Sequence, residues 1–210
     1  MAAYDIDGLS NDATQVAALH ALGKRVICYV NVGAAEDFRA DYGQFPAAVK
    51  GASLGPTWPG EVWVDVRAPE VRTIMAARLR LCAARGFDAV EPDNMDGYAN
   101  ASGFALTAAD QLAYAEWIAG EAHALGLAVF QKNDHDQTGA LEPSFDGGID
   151  EQCNETGDCG AWAPYLAAGK PVLNAEYSDP AGFCAADAAL GIMGARFPLL
   201  LDGTLFEPCW

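Results

Sequence analysis

Basic residues are scarce in this 210-residue chain: 12 lysines and arginines stand against 29 aspartates and glutamates, and the formal net charge is −17. That deficit excludes a nucleic-acid binder, whose phosphates such a surface repels, and it disfavours anionic membrane surfaces. No apolar run approaches the roughly 18 residues a membrane-spanning helix needs, so no membrane insertion is expected. There is no C-x-x-C, which removes zinc-ribbon and thioredoxin-like readings. The three histidines, His20, His123 and His135, form no H-x-x-x-H pair, and His20 and His123 fall in helical segments where a structural role is expected. The first strand ends in Asp5-Ile6-Asp7-Gly8, which is not the Gly-rich phosphate turn of a dinucleotide fold. Neither a cofactor nor a metal is expected. No linker or low-complexity tract interrupts residues 1–210, so a single domain and a monomer are expected. No signal-peptide pattern precedes Tyr4-Asp5-Ile6-Asp7, so any leader of an exported protein lies outside this sequence.

Cysteine, by contrast, is present in an even number: Cys28, Cys82, Cys153, Cys159, Cys184 and Cys209. That fits an oxidising compartment, and an extracellular location is expected. Cys153 and Cys159 flank a short polar loop and are expected to close it. Cys184 and Cys209 are expected to tie down the end of the chain. Cys28 sits in a strand pattern and Cys82 on the apolar stripe Met75, Leu79, Cys82, so both fit buried thiols at least as well as a bridge.

Half the residues are hydrophobic, and they are organised as a repeat of helix, glycine and β-rich run. The junctions Leu22-Gly23, Arg85-Gly86, Leu125-Gly126, Ala168-Gly169 and Leu190-Gly191 each place a glycine where a helix ends. Helices are expected at Asp12–Leu22, Glu70–Arg85 and Thr107–Leu125, the last opened by the capping box Thr107-x-x-Asp110. Strands are expected at Tyr4–Asp7, Val26–Asn31, Val62–Val66, Asp88–Asp93, Leu127–Lys132, Gly148–Gln152, Pro171–Glu176 and Phe197–Asp202. Gln44–Gly60 reads as a long surface loop. Strands alternating with helices imply parallel units, and about eight of them in one domain point to an α/β fold, a (β/α)₈ TIM barrel.

In such a barrel the active site lies at the C-terminal strand ends. Those ends carry Asp5 and Asp7, Tyr29 and Asn31, Asp65, then Glu91, Asp93, Asn94 and Asp96, with Tyr98 just beyond. Further along come Lys132, Asn133 and Asp134, then Asp150 and Glu151, then Glu176 and Tyr177, and finally Asp202. Aspartate and asparagine are common turn residues, which accounts for Asp202 before Gly203 and for Asp134. Glutamate is neither a favoured turn former nor a strand former, so Glu91, Glu151 and Glu176 call for another reason. A rim of carboxylates serves either a divalent metal or glycoside hydrolysis. The aromatics Tyr29, Trp58, Trp63, Tyr98, Trp162 and Tyr177 near the rim favour sugar, since rings stack on sugar faces; Trp117 on its helix reads as core. Lys132 is a poor companion for a metal, but it can lower a neighbouring carboxylate's pKa.

The runs Tyr4-Asp5-Ile6-Asp7, Val26-Ile27-Cys28-Tyr29, Glu91-Pro92-Asp93-Asn94-Met95-Asp96-Gly97-Tyr98, Lys132-Asn133-Asp134 and Glu151-Gln152-Cys153 resemble glycoside hydrolase family 114, the endo-α-1,4-polygalactosaminidases. So do the segments around Glu121-Ala122-His123 and Glu176-Tyr177. The resemblance covers essentially the whole chain. It implies a (β/α)₈ barrel acting on α-1,4-linked galactosamine, as in deacetylated stretches of galactosaminogalactan, a cationic polysaccharide. Its two catalytic acids map onto Asp93 and Glu151. Family members usually carry a Trp- and Gln-containing strand upstream of the Tyr-Asp-Ile-Asp block, so a trimmed or missing N-terminal segment is expected. By analogy with other α-glycosidase barrels, retention is expected, with Asp93 as nucleophile and Glu151 as acid/base, held protonated by a raised pKa. Asp5, Asp7, Tyr29, Asn31, Asp65, Glu91, Asn94, Asp96, Tyr98, Lys132, Asn133, Glu176 and Tyr177 are assigned to substrate, the acids pairing with the sugar's C2 ammonium. The competing readings are an α-glycosidase for neutral galactosides, a sugar-binding barrel without turnover, and a metal-dependent hydrolase.

Overall fold

Asp12 opens the first helix. Its carboxylate accepts the backbone N–H groups of Thr14 (2.7 Å) and Gln15 (3.3 Å), while the Gln15 side chain accepts the Asp12 N–H (2.9 Å). Such a box satisfies donors that a helix start otherwise leaves open. Thr107 and Asp110 form the same motif at a second helix. Gly86 and Gly191, both left-handed, end two other helices and release the chain into strands.

The computed structural model describes residues 3–210, which cluster into two compact units divided between Val129 and Phe130. The first holds β1 (Ala3–Asp7), α1 (Ala13–Ala21), β2 (Arg25–Asn31), β3 (Ala34–Glu36), β4 (Lys50–Ser53), β5 (Glu61–Val64), α2 (Pro69–Arg85), β6 (Ala89–Asp93), α3 (Ala108–Ala124) and the first two residues of β7 (Ala128–Lys132). Here β1, β2 and β6 run parallel in that order, and Ala89 and Val90 pair with Ala128 and Val129. The second unit takes the remainder of β7, then α4 (Thr138–Leu141), β8 (Gly147–Glu151), α5 (Cys153–Thr156), α6 (Ala163–Ala167), β9 (Val172–Glu176), α7 (Cys184–Leu190), β10 (Met193–Arg196) and β11 (Glu207–Pro208). Strands β7, β8, β9 and β10 are parallel, and β11 is antiparallel to β10.

Two strand expectations need correction. Val62–Val66 was read as a parallel strand. It is β5, and it pairs antiparallel with β3 and β4 in a separate three-stranded sheet. Alternation marks a half-buried strand but carries no information on direction. The same sheet takes Lys50–Ser53 out of the segment expected to be loop. The last parallel strand is Met193–Arg196 rather than Phe197–Asp202. The chain enters it directly after Gly191, and beyond it Pro198, the left-handed Leu201 and Gly203 break the extended run.

All six cysteines are paired. Cys153–Cys159 and Cys184–Cys209 are bridged as expected, while Cys28 and Cys82, left open between thiols and a bridge, form a third bridge with Cα atoms 6.1 Å apart. The burial was read correctly, since both are 0% exposed. Their 54-residue separation gives no spacing signal. Gly8 lies against this bridge: a Cβ there would sit 2.0 Å from Cys28 Sγ, so a side chain at this position would force the strand end away.

Candidate active site

Strand pleating sorts the polar residues into two classes, because successive side chains leave opposite faces. In β2, Cys28 points to α2, to which it is bonded, so Ile27, Tyr29 and Asn31 take the other face. Register places Asp5, Asp7, Glu91 and Asp93 with them: Asp7 is level with Tyr29, Tyr29 with Glu91, and Asn31 with Asp93. In the second unit Gln131, Asp150, Asn174 and Glu176 share the helix-facing side. There Gln131 accepts the Tyr165 hydroxyl (2.7 Å) and Asp150 accepts the Trp162 indole N–H (2.5 Å). Lys132 and Glu151 leave the opposite side.

Asp93 is the centre of the first group. Its Oδ2 accepts the Tyr29 hydroxyl (2.9 Å) and the Asn94 side-chain amide (3.3 Å). Asn31, fully buried, accepts the Ala34 N–H (2.8 Å) and donates to Glu61 (3.1 Å). Gly33 follows on the same loop, and a Cβ there would meet the Asn94 carbonyl at 1.7 Å. The turn after β2 and the turn after β6 are therefore packed backbone to backbone beside Asp93.

Glu151 is the centre of the second group. Lys132, 4% exposed, lies 3.3 Å from its carboxylate. Its backbone N–H donates to Asn133 Oδ1 (3.0 Å). Each of these strand ends is followed by non-glycine residues in the left-handed region: Asn94 after β6, Asn133 and Asp134 after β7, and Gln152 after β8. Each such residue costs on the order of 1 kcal/mol. Gln131 holds two of them, donating to the carbonyls of Asn133 (2.7 Å) and Asp134 (3.1 Å). Strained backbone of this kind gathers where side chains must be aimed.

The chain belongs to glycoside-hydrolase family GH114. The family model matches residues 1–197. Its structure is similar to the crystal structure of Aspergillus fumigatus Ega3 complexed with galactosamine, with a TM-score of 0.93 at 31% identity over 99% of this chain and 87% of that one. It is also similar to the glycoside hydrolase domain of PelA from Pseudomonas aeruginosa, with a TM-score of 0.74 at 16% identity over 97% of this chain and 90% of that one. These matches give the chain the (β/α)₈-barrel fold of such hydrolases. An uncharacterized protein of Deinococcus radiodurans is 36% identical over 104 residues. That match takes in 45% of this chain and 32% of that protein, so the chain spans about a third of this curated relative's length.

Several residues assigned to substrate in this GH114 chain are otherwise engaged. Asp65 follows β5 of the antiparallel side sheet, and the Arg67 side chain grips it at 2.8 and 3.0 Å; that bond holds its pKa below the ordinary value. Asp7 is partly buried, but its ion pair with Arg39 outweighs the burial and holds its pKa low. Glu176 is 0% exposed on the helix-facing side. It accepts the Asn154 backbone N–H (2.8 Å) and the amides of Asn154 (3.2 Å) and Asn174 (3.1 Å). Direct pairing of Glu176 with a sugar ammonium is not compatible with that burial. Asp96 accepts the Asn100 amide (3.0 Å). Glu91 is buried, Asp5 is exposed, and Tyr98 and Tyr177 are half-buried. Among the aromatics read as rim residues, Trp162 is fully buried core. The cluster of Cys153, Cys159 and Asp187 has metal-like spacing, but its two sulfurs are joined in a disulfide and offer no thiolate.

Glu61 was not anticipated. Burial pushes its carboxyl up to about 7, with the charges of Glu36 and Asp93 adding to the rise. The only sequence signal was a glutamate opening the alternating run Glu61-Val62-Trp63-Val64. In the folded chain it stays protonated to about pH 7, against 4.5 for an ordinary glutamate. Its contribution to stability is therefore complete below pH 4.5 and lost as pH rises to 7. Glu61→Gln keeps an acceptor for Asn31 and removes the charge. The variant is expected to match the native chain near pH 4.5 and to exceed it by about 1–2 kcal/mol above pH 7, after allowing for solvent screening of a half-buried group. Urea unfolding at pH 4.5 and pH 8 checks this, and parallel pH dependences in the two proteins would refute it.

Proposed function

We propose that this chain is an endo-acting hydrolase of α-1,4-linked galactosamine polymers, deacetylated galactosaminogalactan among them. We assign Asp93 as nucleophile and Glu151 as acid/base in a retaining mechanism. The observation that carries the reading is the match, over nearly the whole chain, to an enzyme crystallised with galactosamine. The net charge of −17 supports a cationic substrate, because an acidic surface concentrates cations near it. Donors from Tyr29 and Asn94 keep the Asp93 carboxylate aimed. Lys132, 3.3 Å from the Glu151 carboxylate, holds that side chain in place. Three disulfides support an extracellular role.

The test compares fully deacetylated α-1,4-galactosamine oligomers, their N-acetylated counterparts and neutral galactosides. Cleavage of the cationic chains is expected with kcat/KM at least about tenfold above the others. That advantage should shrink as salt rises from 0.05 to roughly 0.5 M, since surface attraction is screened within a Debye length. Internal cleavage appears as a spread of product lengths, and the anomer first released reports the stereochemistry. Equal rates on acetylated and deacetylated chains would remove the electrostatic basis of the assignment.

A further inference from the structure

His135 stands between two carboxylates. Its Nε2 faces Asp150 Oδ2 in a short contact, and its Nδ1 lies 3.0 Å from Asp158 Oδ2. A neutral imidazole carries a proton on one ring nitrogen only, and an ionised carboxylate can only accept. Both contacts are satisfied together only when the ring carries two protons. The geometry therefore holds His135 as an imidazolium. The flanking residues agree: Asp150 is 0% exposed and also accepts the Trp162 indole, whose ring meets His135 edge to face at 5.8 Å. The groups facing the ring are Asp150 from β8, Asp158 from the loop closed by Cys153–Cys159, and Asp134 from its own turn. Burial opposes the charge on His135, but these carboxylates prevail and its pKa is raised.

The positions of the two carboxylates give the contact a consequence. Asp150 is the residue before Glu151. His135 lies two residues after Asn133, whose side chain holds the Glu151 N–H. Thr138 ties the same turn to Ala161, accepting nothing there but donating its hydroxyl to the Ala161 carbonyl (2.8 Å). Protonated, His135 thus fixes the turn after β7 to both the strand and the loop on either side of Glu151. Neutral, it must release one carboxylate. Asp158, 39% exposed, is the one that solvent can accept in its place.

We propose that His135 is a positioning residue for Glu151: as an imidazolium bridging Asp150 and Asp158 it holds the Asn133 turn, and hence the Glu151 backbone, in register, and its deprotonation loosens that end of β8. The catalytic consequence rests on the assignment of Glu151 as acid/base; the structural consequence does not. The sign follows from the raised pKa. The stabilisation is complete below the ordinary histidine value of about 6.5 and is lost as pH rises through the higher folded value.

The experiment uses the whole chain and two variants, His135→Gln and Asp158→Asn. Exchange of the Glu151 backbone amide, corrected for intrinsic base catalysis, is followed from pH 5 to 9 together with NMR titration of the His135 ring. In the native chain the amide is expected to be protected at low pH and to lose about tenfold in protection as the ring titrates, above the ordinary histidine range. His135→Gln is expected to show low, pH-independent protection. Asp158→Asn is expected to lower the pH at which protection is lost. In turnover, His135→Gln should lower kcat by roughly 10–100-fold with KM nearly unchanged, as expected when a catalytic group is misplaced by a fraction of an ångström or more. Unchanged amide protection in His135→Gln across the range overturns the proposal, as does a His135 ring that titrates at or below the ordinary value. Intact pH-dependent protection with no effect of Glu151→Gln on turnover leaves the bridge standing and refutes the catalytic assignment instead.

Discussion

Asp93→Asn and Glu151→Gln are each expected to reduce turnover of deacetylated galactosamine oligomers by on the order of 10³-fold or more, a loss of about 4 kcal/mol in transition-state stabilisation. Both substitutions keep the size of the side chain. Asparagine can still accept the Tyr29 hydroxyl that now binds Asp93 at 2.9 Å, and glutamine removes the charge that Lys132 faces at 3.3 Å. Folding stability should change far less than rate. The two roles are separated by cutting the side chains shorter and adding azide. With Asp93→Ala, azide is expected to replace the missing nucleophile and give a glycosyl azide of inverted configuration. With Glu151→Ala, azide is expected to capture the glycosyl intermediate and give the retained configuration. Turnover within tenfold of the native rate in either conservative variant would sink the two-carboxylate reading. Rescue with the two configurations exchanged would reverse the roles.

Much of this site is legible in the amino-acid sequence, and the reason is the pleat. A strand end that carries Glu or Asp among β-branched residues is visible in sequence, and so are the glycines that end each helix. What sequence did not resolve is which of two adjacent polar residues faces which side. Asp150 and Glu151 look alike as neighbours, as do Glu176 and Tyr177. Register decides them: Asp150 and Glu176 fall on the helix-facing side with Asn174, and Glu151 on the other. One residue of slip would exchange these roles. The choice of Asp93 and Glu151 from so many acids came from family resemblance, not from spacing.

The misreadings share a cause, which is contact between residues far apart in sequence. Cys28 and Cys82, 54 residues apart, are legible as buried, but the sequence does not decide between thiols and the bridge they form. Val62–Val66 was read correctly as a strand and placed in the wrong sheet, because its antiparallel partners Ala34–Glu36 and Lys50–Ser53 are short and irregular. Asp65 then lost its place at the rim. Glu61 was missed because its character comes from the charges of Glu36 and Asp93, which only the fold brings near it.

The same dependence on distant partners makes Arg78 the position where substitution should cost the most stability. It lies on α2, 2% exposed, and every edge of its guanidinium is used. Nε and Nη2 grip Asp41 at 2.8 and 2.9 Å; Nη1 donates to the Asn31 carbonyl (2.7 Å) and to Glu36 (3.2 Å), itself 2% exposed. Burial works against the Asp41 carboxylate, yet the Arg78 bond holds its pKa below the ordinary value. Arg78→Met preserves the length of the side chain and removes the charge. Among the described residues Glu36 then keeps Arg39, at 2.9 Å, as its cationic partner, and the Asn31 carbonyl loses the Arg78 donor. Breaking a buried pair from one side typically costs about 3–5 kcal/mol, because the remaining charge stays buried. Urea unfolding should show that loss. Arg78→Lys should recover little of it, since an ammonium cannot grip Asp41 with two parallel bonds while also reaching Asn31. Adding Glu36→Gln to Arg78→Met should recover part of it, and the size of that recovery measures the coupling between the two residues. A loss below about 1 kcal/mol in Arg78→Met would mean that the neighbourhood of Asn31 is held by packing alone. A larger loss also reaches the site, because Asn31 positions Glu61 and neighbours the turn packed against Asn94 beside Asp93. The fall in stability should therefore be accompanied by a fall in kcat under conditions where the variant remains folded.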